Sequence, residues 1–301
     1  MDLQLRHLRA LVAVVDAGTF TDAAADLGTS QAAVSRSIAA LEEALGAGLL
    51  LRTTRHVSLT GTGTQVLAGA RRILDEVAHL RRIAERSRTE LRIGYAWAAL
   101  GKHTRRLQKA WTAVQPTVPL VFHQVNTVTA GLSEGSADVA VLRLPLADPR
   151  FATALIGRES RFAAIATDSP LARRRSLALA DLSRYPVAID SRTGTTRLDL
   201  WAPGTEPVTI RPTHGVDEWL TLIAAGQAVG VTSEATANQY PRPGVAYRVL
   251  RHTPKIDVWL AWWADDPPAD LPDLIRLGRA AYGLDEAERD DRPGGGRTGR
   301  G

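Results

Sequence analysis

Residues 24–46 read AADLGTSQAAVSRSIAALEEALG, and this stretch decides how the N-terminal part of the chain folds. A short alanine-rich segment stops at Gly28, and Ser30 then stands where a helix cap is preferred. After that serine, the apolar residues are spaced four, three and four apart, at Val34, Ile38, Leu41 and Leu45. This spacing puts them on one face and predicts an amphipathic helix.

Two further helices are predicted before this stretch. Residues 3–17 carry apolar side chains three and four apart, and Gly18 ends that helix. Thr19 begins a segment that resembles a capping box and starts a second, short helix. A helix, a short helix, a tight turn and a longer helix together make a helix-turn-helix unit, which we place within residues 1–60.

The polar face of the third helix predicts contact with DNA. The second helix of such a pair enters the major groove, and its first turns face the base edges. Glutamine can pair with adenine, arginine with guanine or phosphate, and a helix N-terminus binds phosphate. The predicted contacts on this helix are Ser30, Gln31, Ala32, Ser35 and Arg36. The alternative is a helical pair that packs on another element and leaves this face in solvent.

Residues 50–60, LLRTTRHVSLT, alternate weakly and predict a small two-stranded wing. Arg52 or Arg55 at its tip would reach a phosphate or the minor groove. The window from Ala44 to Leu74 contains no acidic residue, which indicates a nucleic-acid partner better than the overall net charge of +5.

A long linker helix is predicted over residues 61–88. One narrow apolar stripe repeats along it at alternating spacings of four and three residues, as in a coiled-coil seam. The stripe consists of Val66, Ala70, Ile73, Val77, Leu80 and Ala84. It predicts dimerisation with a second copy of the chain, and the alternative is packing on its own domain.

From Leu91 onward, short apolar runs alternate with helical segments. This alternation indicates an α/β domain with a largely parallel sheet, and the number of strands suits two small lobes. One predicted helix covers residues 127–134, and no strand is predicted over 145–160. Residues 286–301 are charged and rich in glycine, which predicts a disordered tail.

The composition excludes several classes of protein. The chain has no cysteine, so disulfides and thiolate chemistry are excluded. No apolar run approaches the ~20 residues of a membrane span, and the N-terminal segment reads as mature structure rather than a signal peptide. The histidines are scattered without metal-ligand spacing. We therefore expect a cytoplasmic protein with no metal, no cofactor and no membrane partner.

One motif points to catalysis. Residues 131–135, GLSEG, match the nucleophile elbow G-x-S-x-G, which requires a strand before the serine and a helix after it. Here a helix is predicted before Ser133 and a strand after it, so we predict that the protein is not an enzyme. A serine hydrolase remains one alternative, and a small-molecule-binding module without specific DNA binding remains another.

Residues 5–74 resemble the N-terminal part of the LysR-type transcriptional regulators, and the resemblance extends over about residues 1–285. The motifs that carry it stand in order and at the right spacing: Gly-Thr-Phe at 18–20, Ser-Gln-x-x-x-Ser at 30–35, Leu-Glu-x-x-Leu-Gly at 41–46, Leu-x-x-Arg at 49–52 and Leu-Thr-x-x-Gly at 59–63. Gln31, Ser35, Arg36 and Arg52 fall where that family contacts DNA. Ala32 stands where the family usually has proline.

The resemblance implies a winged helix-turn-helix, a long linker helix and a C-terminal two-lobed α/β effector domain similar to periplasmic binding proteins. The effector domain would span 89–285, with one lobe formed by about 91–160 plus 266–283 and the other by 161–265. The implied partners are double-stranded DNA with an inverted-repeat operator, a small-molecule effector, a second copy in a homodimer or homotetramer, and RNA polymerase.

The effector would lie in the cleft between the lobes. Trp97 suggests a flat apolar ligand, whereas Ala98 lacks the hydroxyl with which many relatives hold a carboxylate. Arg143 would bind an anion, and Asp217 would favour an amine. The full set of predicted effector contacts is Trp97, Ala98, Asn126, Thr127, Arg143, Thr193, Thr195, Thr196, Asp217 and Thr232.

Overall fold

The computed structural model describes residues 2–52, 57–84 and 90–284. The chain forms two compact units, one with the N-terminal helices and one with the strands that begin at Leu91. Within the described ranges, no helix combines the length and the apolar character that a membrane span requires. The predicted tail over 286–301 lies outside the described residues.

The first unit contains the predicted helix-turn-helix, wing and linker helix. Its elements are α1 (Leu5–Ala17), α2 (Phe20–Asp26), α3 (Gln31–Leu45), β1 (Leu50–Arg52), β2 (Val57–Leu59) and α4 (Gly61–Ala84). The apolar faces of the helices meet in one core, in which Leu11, Val14 and Leu41 are fully buried. The helix-turn-helix with its small two-stranded wing, as expected from the sequence, is therefore confirmed.

A glycine fixes how α4 begins beside the wing. A Cβ atom on Gly63 would lie 2.0 Å from the carbonyl oxygen of Leu49, far inside any van der Waals contact. The amide of Gly63 also donates to Thr60 Oγ1 at 2.8 Å, and Thr60 Oγ1 donates to the carbonyl of Gly48 at 2.9 Å. Because this backbone approach leaves no room for a side chain, glycine is required at the start of the linker helix.

The second unit alternates strands and helices. Its elements are β3 (Leu91–Tyr95), α5 (Thr104–Val114), β4 (Leu120–Gln124), β5 (Val139–Leu142), β6 (Phe151–Glu159), β7 (Arg161–Ala166), β8 (Ser176–Leu177), α6 (Leu179–Leu182), β9 (Val187–Ile189), β10 (Ile210–Pro212), α7 (Val216–Ala224), β11 (Val229–Ser233), α8 (Glu234–Gln239), β12 (Val245–Leu250), β13 (Ile256–Trp263) and α9 (Leu271–Tyr282). This order gives the α/β class that the sequence predicted.

Two mixed sheets define two lobes in this unit. The first lobe has a five-stranded sheet in the order β4-β3-β5-β13-β6, and the second lobe has a six-stranded sheet in the order β10-β9-β11-β7-β12-β8. In the first sheet β13 runs antiparallel to both β5 and β6, and in the second sheet β7 runs antiparallel to both β11 and β12. The prediction of largely parallel sheets is wrong at these strands.

The lobe boundary also differs from the predicted one near residue 265. Strand β13 belongs to the first lobe, because it pairs with β5 and β6 along its length. The chain therefore crosses between the lobes at Ser160 and again over 251–255. The run DVWLAWW did not reveal its partners, since an apolar strand fits either sheet.

Two elements of the first lobe were predicted wrongly. Strand β6 was not predicted, and residues 128–135 form turns instead of a helix. Gly157 in β6 lies beneath the ring of Tyr282, and a Cβ atom there would be 2.2 Å from the ring. A strand with glycine at such a contact lacks the alternation of large apolar side chains by which strands are recognised.

Candidate functional site

Helix α3 buries one face and exposes the other. Val34, Ile38 and Leu41 are at most 3% exposed and lie in the core of the first unit. The predicted DNA contacts on this helix are all exposed: Ser30, Gln31, Ala32, Ser35 and Arg36. The helix therefore presents a continuous polar face to solvent, as its spacing predicted.

Two side-chain caps fix where the helices of this motif begin. Thr19 Oγ1 accepts the N–H of Asp22 at 3.1 Å at the start of α2. Ser30 Oγ accepts the N–H of Ala33 at 3.2 Å at the start of α3. Between them Gly28 has a φ of +61°, a conformation that glycine adopts without steric cost. These local interactions set the turn that orients the first residues of α3.

Glu42 ties the wing to the end of α3. Its carboxylate accepts the N–H groups of Leu49 at 2.7 Å and Leu50 at 3.2 Å. Arg52 is the last residue of β1, so the backbone carries it toward the wing tip. The side chain of Arg52, and the whole of Arg55, lie outside the described part of the chain.

Two arginines of α1 accompany this surface, although they were not among the DNA contacts predicted from the sequence. Arg6 and Arg9 are exposed and line one groove together with Arg36 of α3. Glu43 lines the same groove, so the positive charge is partly offset. The spacing of three between Arg6 and Arg9 was the available signal, because it places both on one face of a helix.

The linker helix exposes the C-terminal part of its apolar stripe. Ile73 is 43% exposed and Leu80 is 64% exposed, although both are large and apolar. Ala84 is also exposed, and Val77 between them is half-buried. These four side chains follow one another at three and four residues, so they form a strip along one side of α4.

The N-terminal part of the same stripe packs inside its own unit. Ala70 is 2% exposed and belongs to the core formed with α1, and Val66 packs against that core. The prediction of a dimer contact is therefore wrong for Ala70. The reason is that the first turns of α4 must cover the apolar face of α1, which the periodicity of α4 alone does not reveal.

The second unit holds a narrow cleft between its two lobes. It lies beyond the carboxyl ends of β3, β9 and β11, where α/β sheets commonly bind ligands. The cavity measures about 70 Å³. The predicted effector residues that line it are Trp97, Thr127, Arg143, Thr193, Thr195, Thr196 and Thr232.

Three predicted effector residues do not line this cleft. Ala98 is completely buried behind it. Asn126 acts indirectly, because its Oδ1 accepts the hydroxyl of Thr193 at 2.7 Å. Asp217 lies on the solvent face of α7 with its side chain 92% exposed, and it pairs with Arg242 at 2.8 Å. The prediction that Asp217 contacts an amine in the cleft is therefore wrong.

The hydroxyl of Thr193 connects the lobes. It accepts a hydrogen bond from Trp97 Nε1 at 2.9 Å and donates to Asn126 Oδ1 at 2.7 Å. Trp97 and Asn126 follow β3 and β4 of the first lobe, whereas Thr193 follows β9 of the second. We call these three residues the latch, since they join the lobes directly across the cleft.

Asp190 positions the latch, although it was not among the effector contacts predicted from the sequence. Its Oδ1 accepts the N–H groups of Arg192 at 2.8 Å and Thr193 at 3.1 Å. Its Oδ2 accepts the N–H of Gly215 at 2.8 Å and lies 3.2 Å from the Thr193 hydroxyl. The signal was an aspartate directly after a β-strand and before a turn, where Asx side chains cap backbone N–H groups.

Arg143 is a member of a buried ion pair. Its Nε and Nη2 donate to Glu159 at 3.1 and 3.0 Å, and the side chains are 8% and 3% exposed. Nη1 donates to the carbonyl of Ala98 at 2.6 Å, and Nη2 donates to that of Ala99 at 2.7 Å. These bonds use four of the five guanidinium N–H groups, so the structure does not support the predicted role of Arg143 in binding an anion.

The surroundings of the ion pair determine the protonation of Glu159 and of the neighbouring Tyr282. Burial alone would raise the pKa of Glu159, but the charge and hydrogen bonds of Arg143 hold that pKa below its ordinary value. Burial and the neighbouring Glu159 carboxylate raise the pKa of Tyr282, whose hydroxyl donates to Glu159 at 2.6 Å. Glu159 is therefore charged and Tyr282 neutral at physiological pH.

The elbow-like motif does not have the geometry of a hydrolase. Ser133 lies among turns and is 7% exposed, and the next strand, β5, begins six residues later. The order of elements is thus not the strand, serine and helix that the motif needs. Within the described residues, no group of three or more histidine, aspartate or glutamate side chains is arranged to hold a metal ion.

Comparison with known proteins identifies the family. The model of the bacterial regulatory helix-turn-helix protein, lysR family, matches residues 5–64, and the model of the LysR substrate binding domain matches residues 84–282. The chain belongs to the LysR family of transcriptional regulators, as the sequence motifs indicated.

Several curated proteins are similar over most of the chain. The uncharacterized HTH-type transcriptional regulator YnfL of Escherichia coli is 38% identical over 65% of this chain and 68% of its own length. The HTH-type transcriptional regulator BenM of Acinetobacter baylyi is 30% identical over 78% of this chain and 81% of its own. The small neutral protease regulatory protein of Streptomyces coelicolor is 31% identical over 84% of this chain and 80% of its own length.

A solved structure of the LysR family regulator CbnR has a TM-score of 0.54 and 25% identity, and covers 92% of this chain and 100% of its own. A second structure, of full-length CbnR complexed with its target DNA, has a TM-score of 0.55 and 24% identity. It covers 93% of this chain and 100% of the CbnR chain. Both have the fold described above.

Proposed function

We propose that this regulator recognises DNA through the exposed face of α3, and that a small molecule in the interlobe cleft controls it. The observation that carries this proposal is the division of α3 into a buried apolar face and an exposed polar face. The relative CbnR has been solved with its target DNA, which supports a nucleic-acid partner for this fold.

The chemistry of the face fits base recognition. Gln31 at the first turn can pair with adenine through two hydrogen bonds, and Arg36 can pair with guanine or with a phosphate. Ser35 and the N–H groups near Ser30 reach phosphates, which set the position of the helix on the duplex. Ala32 leaves room for a thymine methyl group. We expect Arg52 and Arg55 to add contacts in the neighbouring groove.

Dimerisation would duplicate this face. The exposed strip of Ile73, Val77, Leu80 and Ala84 offers the apolar contact that one linker helix would present to another. Two copies related by a two-fold axis read an inverted repeat, because the symmetry of the operator mirrors that of the protein. The same contact serves a homodimer or the dimers within a homotetramer.

The cleft is the effector site in this proposal. A cavity of about 70 Å³ is far smaller than the roughly 300–1,000 Å³ of ordinary ligand pockets. A ligand must therefore separate the lobes, and the crossovers at Ser160 and 251–255 are the segments about which they can move. A ligand that binds one arrangement better than the other shifts the equilibrium between them.

The remaining partners follow from this role. A regulator that binds a bacterial promoter acts in the cytoplasm, beside RNA polymerase, which its bound form would recruit or exclude. Linkage between the two sites is reciprocal, so operator DNA would alter effector affinity by the same factor by which the effector alters operator affinity.

The test is the binding of the purified protein to DNA from upstream of its own gene and to scrambled DNA of equal length, followed by fluorescence anisotropy. Across a salt series from about 50 to 300 mM we expect affinity for both to fall, with a preference for the upstream DNA. Arg36→Ala should remove most of this binding. Arg276→Ala, which deletes the same charge from an exposed helix of the second unit, should leave it unchanged.

Equal and weak binding to both DNAs would contradict sequence-specific recognition. In that case a small-molecule-binding module would describe the chain better. An unchanged affinity in Arg36→Ala, with preference for the upstream DNA retained, would instead contradict the assignment of α3 as the reading helix.

A further inference from the structure

We infer that the cleft takes an uncharged ligand with a flat apolar body and hydrogen-bonding groups, such as an aromatic amide or phenol, rather than a carboxylate or an amine. This inference rests on the proposed function of the cleft and adds the chemical class of its ligand. It follows from how the chain uses its own charged and N–H groups around the cavity.

The buried cation of the cleft is already neutralised. Arg143 forms a two-point ion pair with Glu159 and two further bonds to backbone carbonyls. Glu159 also accepts the Tyr282 hydroxyl at 2.6 Å and the N–H of Ala235 at 3.3 Å. A carboxylate placed here would have to displace Glu159 or share Arg143 with it, which leaves a buried negative charge without compensation.

The backbone donors after β3 are also occupied. Gln239 of the second lobe accepts the N–H of Ala99 at 3.1 Å, and Thr104 accepts the N–H of Leu100 at 3.1 Å. Free N–H groups at such a strand-to-helix junction are a common means of holding an anion. This chain fills both with its own side chains, and neither Ala99 nor Leu100 lines the cavity, so these N–H groups do not serve an anion in the cleft.

The buried anion of the cleft is saturated in the same way. Asp190 accepts hydrogen bonds from Arg192, Thr193 and Gly215 through their backbone N–H groups and lies near the Thr193 hydroxyl. A carboxylate has about four lone-pair sites, of which three accept these N–H groups, while the Thr193 hydroxyl lies against Oδ2 at the fourth. An amine would therefore find no free acceptor at Asp190, and a second carboxylate would be repelled by it.

Hydroxyl groups and aromatic walls remain for the ligand. Thr232 lines the cavity although it is only 2% exposed, and its hydroxyl bonds to no partner among the described residues. Thr195 also lines the cavity, and its hydroxyl bonds to no side chain or backbone group within the described part of the chain. A hydroxyl can donate and accept, which suits amide, carbonyl and hydroxyl groups.

The walls of the cavity are flat and apolar. Trp97 and Trp219 meet edge to face with ring centroids 5.3 Å apart, and Trp219 is held in place by the bond of its Nε1 to the carbonyl of Ala188 at 3.0 Å. Leu142 and Val231 complete the apolar lining. An aromatic ring would therefore lie against indole and aliphatic carbon while its polar groups reach the threonines.

The experiment compares ligand pairs of one shape and different charge. Benzamide and benzoate, and salicylamide and salicylate, are titrated into the full-length protein at about pH 7.5 by calorimetry, with tryptophan fluorescence as a second readout. Carboxylic acids of this kind are ionised there, so each pair differs by one charge. We expect the amides to bind with a Kd at least about tenfold lower than that of the acids.

Two variants locate the binding. Thr232→Val keeps the side-chain shape and removes the free hydroxyl, so amide affinity should fall several-fold while the melting temperature stays close to that of wild type. Thr112→Val, on the exposed face of α5, is the matched control and should leave amide affinity unchanged. Both results together would place the amide at the Thr232 hydroxyl.

Acids that bind as tightly as their amides would overturn the inference. Loss of that acid binding in Arg192→Gln would place the charge at the exposed Arg192 on the cleft lining. Absence of binding by either amide would overturn it as well. Operator binding by the same preparation separates the two proposals, because its retention shows that the ligand class alone was wrong.

Discussion

The indole nitrogen of Trp97 donates to the hydroxyl of Thr193 at 2.9 Å, and this bond joins the two lobes of the effector domain. Trp97 follows a strand of the first lobe, yet its ring lies in a core cluster with Trp219 and Val216 of the second lobe. The Thr193 hydroxyl is therefore one of the polar groups that hold the cleft closed beside the packing of the Trp97 ring, and a ligand can replace it.

The latch gives the first prediction. Thr193→Val removes the acceptor of Trp97 Nε1 and the donor to Asn126 while conserving shape. If the indole N–H stays buried without a partner, we expect the free energy of unfolding to fall by about 1–3 kcal/mol. If the cleft opens instead, we expect a red shift of tryptophan emission. Urea unfolding and emission spectra measure both. Thr112→Val, on an exposed helix face, is the control, and an unchanged spectrum and midpoint in Thr193→Val would contradict the latch.

Two glycines of the linker helix should respond in opposite directions to alanine. Gly63→Ala places a methyl group 2.0 Å from the Leu49 carbonyl, so we expect a loss of about 1–3 kcal/mol in the first unit. Gly69 lies inside α4 with open space around its Cβ position, so Gly69→Ala should stabilise by about 0.5–1 kcal/mol. Thermal unfolding followed by circular dichroism compares them. Equal shifts in the same direction would disprove the close approach at Gly63.

The exposed strip of α4 predicts that two copies of the chain form a dimer through this helix. Leu80→Asp puts a charge on a side chain that is 64% exposed in the single chain, so the fold should survive while the dimer dissociates. Light scattering should then give the mass of one chain at micromolar concentration. Ala68→Asp, which is exposed on the same helix outside the strip, should retain the wild-type mass. A wild-type mass for Leu80→Asp as well would exclude this strip as the contact.

The buried pair of Arg143 and Glu159 predicts a pH dependence. Glu159→Gln leaves Arg143 without its counter-charge, so near pH 7 we expect the free energy of unfolding to fall by about 3–5 kcal/mol. The pKa of Glu159 is lowered in the folded chain, so its contribution is complete above the unfolded pKa of about 4.3 and is lost as pH falls through the folded pKa. The difference in unfolding free energy between wild type and variant, measured by urea unfolding, should therefore be constant near pH 7 and narrow as pH falls below about 4.3. A difference that does not narrow would mean that the Glu159 charge contributes nothing.

The groove beside α3 distinguishes two kinds of DNA contact. Arg9→Ala removes a charge of α1 that lines the groove and that we expect to contact a phosphate, so it should weaken binding to operator and scrambled DNA equally and reduce the salt slope by about one. Gln31→Ala should weaken operator binding by about 1–3 kcal/mol and leave scrambled DNA unaffected. A selective loss in Arg9→Ala, or a uniform loss in Gln31→Ala, would reverse these roles.

The DNA-binding unit was predictable because its determinants are local. The cap at Ser30, the turn at Gly28 and the spacing of Val34, Ile38 and Leu41 act within one or two helical turns. The effector cleft was predicted less well. Asp217 and Trp219 stand two residues apart on α7, and only the packing of that helix puts the first in solvent and the second in the core.

The sequence by itself determined the helices of the first unit, the polar face of α3 and the α/β class of the second unit, since periodicity and capping are written in neighbouring residues. Tertiary structure alone decided that β13 returns to the first lobe and that Arg143 forms its ion pair with Glu159. It also decided that Asp190 holds Thr193 against Trp97. Those contacts join residues far apart in the chain. Their partners are selected by the energy of packing and of charge burial in the folded molecule, which no local pattern records.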